Sequence, residues 1–165
     1  MTVLFLDFDG VLHPDEVYLQ RGKPVLRCDG YSLFEHADRL AEILEPYPHV
    51  RIVLSTSWVS VFRDFDKAKG FLPQALQERV IGATWHSKGA FGGHYTWGAW
   101  SQTTRYEQIM TYVLRHRLAN WIAIDNDDHG WPDDKRHHLV HTDDWGGLGD
   151  VSAQADLIGK LNGKF

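Results

Sequence analysis

The chain alternates short apolar runs with longer segments in which apolar residues recur every three or four positions. The short runs are rich in β-branched and large apolar residues, which is typical of strands buried on both faces of a parallel sheet. They predict strands over residues 3–6, 50–54, 80–85 and 121–124, with a short edge strand over 138–141. The longer segments predict helices over residues 31–44, 59–69, 73–79 and 104–117, with a further helix near the end of the chain. This alternation predicts an α/β fold, a parallel sheet with helices on both faces.

Capping residues mark the starts of two of these helices. Thr104 and Glu107 have the spacing of a capping box, in which each side chain bonds the main chain of the other residue. Asp150 or Ser152 is expected to cap the terminal helix. That helix is predicted to pack through Leu157, Ile158 and Leu161.

Two carboxylates end the first predicted strand. Asp7 and Asp9 lie two residues apart, so an extended backbone places them on the same side. Gly10 then allows a sharp turn. Carboxylates held this close repel each other, and Mg²⁺ suits oxygen ligands of this kind. The alternative is an ordinary turn, since Asp and Gly are both common turn residues.

Polar residues also end the second and fourth predicted strands. Residues 55–57 read Ser-Thr-Ser, which predicts either a helix cap or hydroxyl donors to a phosphate, with Ser57 as the cap and Ser55 directed to the site. Residues 125–128 read Asp-Asn-Asp-Asp. Because crossovers between parallel strands are right-handed, the ends of strands one, two and four are expected to meet at the sheet edge where α/β proteins bind ligands.

Two irregular segments flank these elements. Residues 13–28 carry the Gly and Pro placement of a small hairpin or flap, and Arg21, Lys23 and Arg27 either face an anionic substrate or are solvated loop charges. Residues 86–102 predict a long surface loop that lies partly over the site. Three aromatic side chains in and before that loop either stack on a base or sugar or cover the sheet: Trp85, Trp97 and Trp100.

Composition narrows the class of protein. The 165 residues are 43% hydrophobic, which predicts one domain over 1–165 with a substantial core. The net charge of −5, from 17 basic and 22 acidic residues, lacks the excess of positive charge that is typical of a general nucleic-acid binder. Cys28 is the single cysteine, the first residues do not resemble a signal peptide, and no apolar run approaches the roughly 20 residues of a membrane span. We therefore expect a cytoplasmic protein with no membrane contact and no obligate protein partner.

The motifs together resemble the haloacid dehalogenase (HAD) superfamily, and within it the Mg²⁺-dependent phosphatases. Residues 4–12, Leu-Phe-Leu-Asp-Phe-Asp-Gly-Val-Leu, match the first family motif, residues 53–55 match the second, and residues 122–125 with the nearby acids match the fourth. Arg105 is our choice for the cation of the third motif, and Lys88 is the alternative. The resemblance covers nearly the whole chain and implies a three-layer Rossmannoid sheet with a minimal cap. Residues 54–58 and the small size are similar to compact members, one branch of which accompanies RNA-repair enzymes.

The resemblance also implies roles for these residues. Asp7 would be the nucleophile that forms an aspartyl-phosphate, and Asp9 the general acid and base. The Mg²⁺ ligands would come from Asp7, the Asp9 main chain and Asp125, with a second acid from Asp127 or Asp128. Asn126 interrupts the family's usual pattern of a second acid close after the first. The residues implied to bind the transferring phosphate are Ser55, Thr56 and either Arg105 or Lys88.

Three hypotheses for the function follow. The first is a phosphomonoester hydrolase whose substrate is a nucleotide, a nucleic-acid terminal phosphate, a sugar phosphate or a phosphoprotein. The second is a non-catalytic binding module that kept the fold, because fold does not determine function. The third is a transition-metal site in a segment whose spacing matches no zinc pattern, built from His129, His137, His138 and His141 with Asp133 and Asp134.

Overall fold

The computed structural model of the protein describes residues 1–85 and 102–163, and its centre is a five-stranded parallel sheet. The strands and helices follow the predicted alternation. The strands are β1 (Thr2–Leu6), β2 (Val17–Gln20), β3 (Lys23–Leu26), β4 (Val50–Leu54), β5 (Val80–Ala83), β6 (Trp121–Asp125) and β7 (Leu139–His141). The helices are α1 (Ala37–Leu44), α2 (Ser57–Phe62), α3 (Phe65–Lys69), α4 (Gln74–Gln77), α5 (Arg105–His116) and α6 (Val151–Leu161), with 3₁₀ turns over Asp133–His138 and Gly147–Gly149.

The sheet has the strand order β5-β4-β1-β6-β7, with every neighbouring pair parallel. Side chains of the central strand β1 alternate between two cores. Leu4 and Leu6 pack in the core that holds α1 and α6, whereas Val3 and Phe5 pack in the core that holds α5. Helices therefore cover both faces, and the α/β prediction of a three-layer Rossmannoid sheet is confirmed.

Several predicted boundaries were wrong, each for a local reason. The first helix begins at Ala37 and not at residue 31, because Phe34 adopts a left-handed φ of 59° just before it. The single helix expected over 59–69 is two helices, because Arg63 ends α2 at a φ of 51° and Asp64 caps α3 by accepting from the Lys67 N–H. The third buried strand ends at Ala83 and not at residue 85, since its ladder partner β4 ends at Leu54.

The helix caps agree with the sequence more closely. Thr104 and Glu107 form the predicted capping box at the start of α5. Asp150, not Ser152, caps α6. Leu157 is fully buried, but Ile158 is 38% exposed, so the expectation that Ile158 packs into the core was wrong.

The segment after β1 forms the predicted hairpin. Strands β2 and β3 pair antiparallel around Arg21 and Gly22, both of which have positive φ, as a tight two-residue turn requires. The Arg27 guanidinium lies 4.7 Å from the centre of the Tyr18 ring, so this charge is engaged within the hairpin itself. In the ranges 1–85 and 102–163, no helix combines the length and hydropathy needed to cross a bilayer.

Candidate active site

Three polar residues lie at the carboxyl ends of the adjacent strands β1, β4 and β6. Asp7 continues the ladder by donating its main-chain N–H to the Ile124 carbonyl, and Ser55 donates its main-chain N–H to the Leu6 carbonyl. Asp125 is the last residue of β6. The predicted meeting of these strand ends at one edge is confirmed, because the strands are neighbours and parallel.

Asp7 lies at the centre of this edge and is 4% exposed. Its Oδ1 accepts a 2.8 Å hydrogen bond from the Phe8 main-chain N–H, and its Oδ2 lies 3.4 Å from an Arg105 terminal nitrogen. Burial raises the pKa of Asp7 from 3.8 to about 6; the Arg105 charge acts against this rise and the Asp9 charge adds to it. The carboxylate is thus desolvated yet only partly neutralised.

Arg105 lies between two carboxylates. Besides its contact with Asp7, its Nε is 3.1 Å from Asp125 Oδ2, an ion pair without the alignment of a hydrogen bond. Asp125 is also buried, and burial together with the Asp7 charge raises its pKa well above the usual range. The capping box fixes Arg105 as the first residue of α5, which explains how the helix delivers this cation to the sheet edge. Lys88, the alternative cation, lies outside the described residues.

Asp9 is held by two residues that the sequence did not single out. Its Oδ1 lies 3.0 Å from His13 Nε2, and its Oδ2 accepts a 2.8 Å hydrogen bond from the Trp58 indole N–H. Gly10, at a φ of +71°, turns the chain so that His13 returns beside Asp9. The sequence held one weak indication of these contacts. His13 comes shortly after the acidic motif and Trp58 shortly after the second motif, so both lie near the ends of strands that form the site.

The two hydroxyl residues after β4 have different surroundings. Ser55 Oγ is buried and has no hydrogen-bond partner among the described residues, so it retains the capacity to bond a ligand oxygen. Thr56 is the cap of α2 and accepts from the Trp58 N–H, and its hydroxyl also lowers the pKa of Asp7 by hydrogen bonding. Ser57 was therefore wrongly predicted as the cap, because it already belongs to the helix.

The family model for the HAD domain in Swiss Army Knife RNA repair proteins matches residues 3–153. The chain belongs to this family. No curated protein and no solved structure matches this chain significantly. Membership supports hydrolase activity of the phosphatase type in general, and HAD domains generally use Mg²⁺.

The acids after Asp125 are placed differently from one another in this HAD domain. Asp128 is 2.8 Å from Arg136, and this hydrogen bond lowers the pKa of Asp128. The Asp127 main-chain N–H donates to Asp125 Oδ1, and the Asp127 charge raises the pKa of Asp125. Of the two predicted candidates, Asp127 is the one whose charge acts on the buried centre.

Asn126, where the family pattern usually has an acid nearby, connects two other loops of this HAD domain. Its Nδ2 donates to Asp144 Oδ1 at 2.8 Å and to Asp15 Oδ2 at 3.4 Å. A Cβ at Gly10 would collide with the Asn126 side chain, so the first and fourth motifs pack directly together. The amide thus ties the loop after β6 to the base of the hairpin and to the loop after β7.

The donor chemistry of this HAD domain fits Mg²⁺. No group of three or more His, Cys, Asp or Glu side chains within 1–85 and 102–163 is arranged to hold a metal ion. Mg²⁺, however, is commonly held by one or two carboxylates together with waters and substrate phosphate. Asp7 and Asp125 supply two buried carboxylates with raised pKa values, and within the described part of the chain they share the guanidinium of Arg105. A hard cation beside them would relieve this excess of negative charge.

The transition-metal hypothesis finds no support in the described part of the chain. The His138 ring stacks on Trp121 at 3.9 Å between ring centres, and its Nδ1 bonds the Trp121 carbonyl. His141 Nε2 bonds the Asn126 carbonyl. These imidazoles are engaged with the protein and not gathered around a common point.

Proposed function

We propose that this HAD domain is a Mg²⁺-dependent phosphomonoester hydrolase that acts through an aspartyl-phosphate on Asp7. One observation carries the proposal: a buried carboxylate with a raised pKa ends the central strand, beside the guanidinium of Arg105. A carboxylate poorly solvated by water is a competent nucleophile, and a cation fixed next to it can bind the oxygens of the group it attacks.

The proposed reaction has two steps, the formation of the aspartyl-phosphate and its hydrolysis. In the first, an Asp7 oxygen attacks phosphorus, the bond from phosphorus to the leaving oxygen breaks, and Asp9 gives its proton to that oxygen. In the second, Asp9 takes a proton from water as the water oxygen attacks phosphorus, and the bond from phosphorus to Asp7 breaks. Phosphate leaves, with Asp7 ionised and Asp9 protonated as at the start. Arg105 and the hydroxyls of Ser55 and Thr56 are proposed to bind the equatorial oxygens, where charge develops.

Mg²⁺ would be held by Asp7, Asp125 and the Asp9 main-chain carbonyl, with Asp127, whose charge acts on Asp125, as a further acid. When bound, it supplies positive charge that neutralises the clustered carboxylates and the phosphoryl oxygens. Asp7 and Asp125 are expected to lose their raised pKa values when the cation is present, since an adjacent positive charge favours the ionised form.

For the substrate, we propose a nucleotide or a terminal phosphate of a nucleic acid. The matching family is described from RNA repair proteins, which supports a nucleic-acid end over a sugar phosphate. A minimal cap, as the family resemblance implies, would admit a large substrate. The net charge of −5 gives no reason to expect tight binding along a polynucleotide, so recognition would concentrate on the terminal phosphate and its nearest nucleotides.

The test is hydrolysis of p-nitrophenyl phosphate, nucleoside monophosphates and end-phosphorylated oligoribonucleotides, with Mg²⁺ or with EDTA. We expect Mg²⁺-dependent turnover that falls at least about a thousandfold in Asp7→Asn, because the nucleophile is lost. Asp156→Asn, an exposed change on α6, is the matched control and should retain activity.

The alternative of a binding module predicts a different pattern. Equal activity of wild type and Asp7→Asn would reject the mechanism. If wild type turns over no phosphoester, a fluoroberyllate complex on wild type but not on Asp7→Asn would still indicate a selective enzyme. Absence of that complex as well would favour the binding module.

A further inference from the structure

We propose that His13 and Trp58 are positioning residues that fix the orientation of the Asp9 carboxylate for its acid and base roles. The proposal rests on the proposed function, because it concerns the reaction assigned there to Asp9. It starts from a contact pattern: each Asp9 oxygen has its own donor, His13 Nε2 at 3.0 Å and Trp58 Nε1 at 2.8 Å. Two donors from different elements restrain both side-chain torsions of an aspartate.

The His13 ring has a defined tautomer. Its Nδ1 lies 3.1 Å from the Phe34 main-chain nitrogen, and a main-chain N–H can only donate. Nδ1 is therefore the acceptor, and the proton of the neutral imidazole is on Nε2, facing Asp9 Oδ1. Because His13 is fully buried and packs edge-on against the Phe34 ring, the ring is held in this orientation.

The Trp58 indole is fixed by packing. It is 5% exposed and follows the Thr56 cap within α2. Four phenylalanine rings surround it at steep angles, with centres 5.0–5.8 Å away: Phe8, Phe34, Phe62 and Phe71. Such edge-to-face contacts allow little rotation of the ring, so the direction of its N–H is set by the core and not by solvent.

The two donors leave Asp9 able to react. Each carboxyl oxygen has two positions for hydrogen bonding, and the donors among the described residues occupy one position on each oxygen. When Asp9 is protonated, one of the two remaining positions carries the proton that is given to the leaving oxygen. After that transfer the same position accepts a proton from water. Loss of either donor would leave Asp9 in place but free to rotate, so proton transfer should suffer more than binding of the phosphate.

The first experiment compares two esters in Trp58→Phe, which removes the indole N–H and keeps an aromatic ring. An alkyl phosphate needs a proton on its leaving oxygen, whereas p-nitrophenol leaves without one. We expect kcat/KM for the alkyl ester to fall about tenfold more than for the aryl ester, a part of the usual general-acid contribution. Equal loss on both esters, or none, would overturn the proposal.

A matched control is available in Trp131→Phe. Trp131 is buried to a similar degree, and its indole N–H has no hydrogen-bond partner among the described residues. This change should lower kcat/KM equally for both esters, if it lowers it at all.

The other donor to Asp9 is tested by two variants of His13. His13→Gln keeps an N–H group and should retain more activity on the alkyl ester than His13→Leu. The reverse order would contradict the role of the donor.

A second measurement does not need turnover. In ¹H–¹⁵N spectra, the signal of the Trp58 indole N–H can be assigned because it is missing in Trp58→Phe. Its proton should exchange slowly with solvent, and its chemical shift should change in Asp9→Asn. The His13 signals should show a neutral ring protonated on Nε2. A rapidly exchanging indole that is insensitive to Asp9→Asn would overturn the proposal even in an active enzyme. A wild type that shows neither phosphatase activity nor the fluoroberyllate complex would instead reject the proposed function, while the spectra still decide the two hydrogen bonds.

Discussion

Single residues decide the charge of the site. Among the described residues, Asp7 and Asp125 share one guanidinium, that of Arg105, so this part of the centre has more carboxylates than cations. Main-chain N–H groups reduce this imbalance at both acids, from Phe8 to Asp7 and from Asp127 to Asp125. Hydrogen bonds to carboxylates are stronger than those between neutral groups, but here they do not outweigh burial, and both pKa values stay raised.

Asn126 gives a prediction at the same scale. Asn126→Asp would remove a donor to Asp144 and Asp15 and place a third carboxylate between them. The pKa of Asp15 is already raised by burial and by the charges of Asp9 and Asp144. We expect the free energy of unfolding to drop by about 1.5–3 kcal/mol in the absence of Mg²⁺, the range for hydrogen bonds to charged groups.

Urea unfolding at neutral pH checks this expectation, with Asn162→Asp as the control. Asn162 uses its Oδ1 to accept from the Tyr47 hydroxyl, and an aspartate keeps that acceptor. If the two variants lost the same stability, the loss at residue 126 could not be assigned to its two carboxylate partners.

At the scale of elements, the start of α5 was predictable and the ends of several other helices were not. The Thr104–Glu107 capping box is a local signal, and it places Arg105 at the first helical position. By contrast, Phe34 and Arg63 adopt left-handed conformations without the glycine that usually marks them. At Phe34 a tertiary contact accompanies this conformation, because the hydrogen bond from the Phe34 N–H to His13 spans 21 residues.

The end of α5 carries an element-scale prediction. Arg117 follows the helix at a φ of 51°, is exposed, and donates its main-chain N–H to the last turn. Glycine adopts this conformation at lower cost, so Arg117→Gly should raise the free energy of unfolding by up to about 1 kcal/mol. Arg115→Gly, within the last turn of the same helix, should lower it by about 1 kcal/mol. Urea midpoints decide the signs, and destabilisation by both changes would refute the argument.

At the scale of the whole molecule, the parallel sheet made part of the site predictable. The residues that end β1, β4 and β6 meet because neighbouring parallel strands end at one edge, so Asp7, Ser55 and Asp125 followed from the strand pattern. The hydrogen bonds that hold the Asp9 carboxylate could not be predicted from the strand pattern. The bond of this carboxylate to Trp58 spans 49 residues and depends on how an aromatic core packs, which no local pattern encodes.

Folding also creates a pH dependence of stability. The pKa of Asp7 rises from 3.8 to about 6 because burial disfavours the ionised form, so between these values the folded protein binds more protons than the unfolded chain. The free energy of unfolding of the metal-free protein should therefore fall as the pH rises through this window, by about 3 kcal/mol from Asp7. In Asp7→Asn this contribution is absent, so the variant should gain stability relative to wild type across the window in EDTA.

Mg²⁺ should stabilise wild type above the window more than below it, because binding to the ionised folded site shifts the equilibrium. Urea unfolding across the window, with EDTA and with Mg²⁺, checks both expectations; stability curves that run parallel for the two proteins would show that Asp7 titrates alike in the folded and unfolded states.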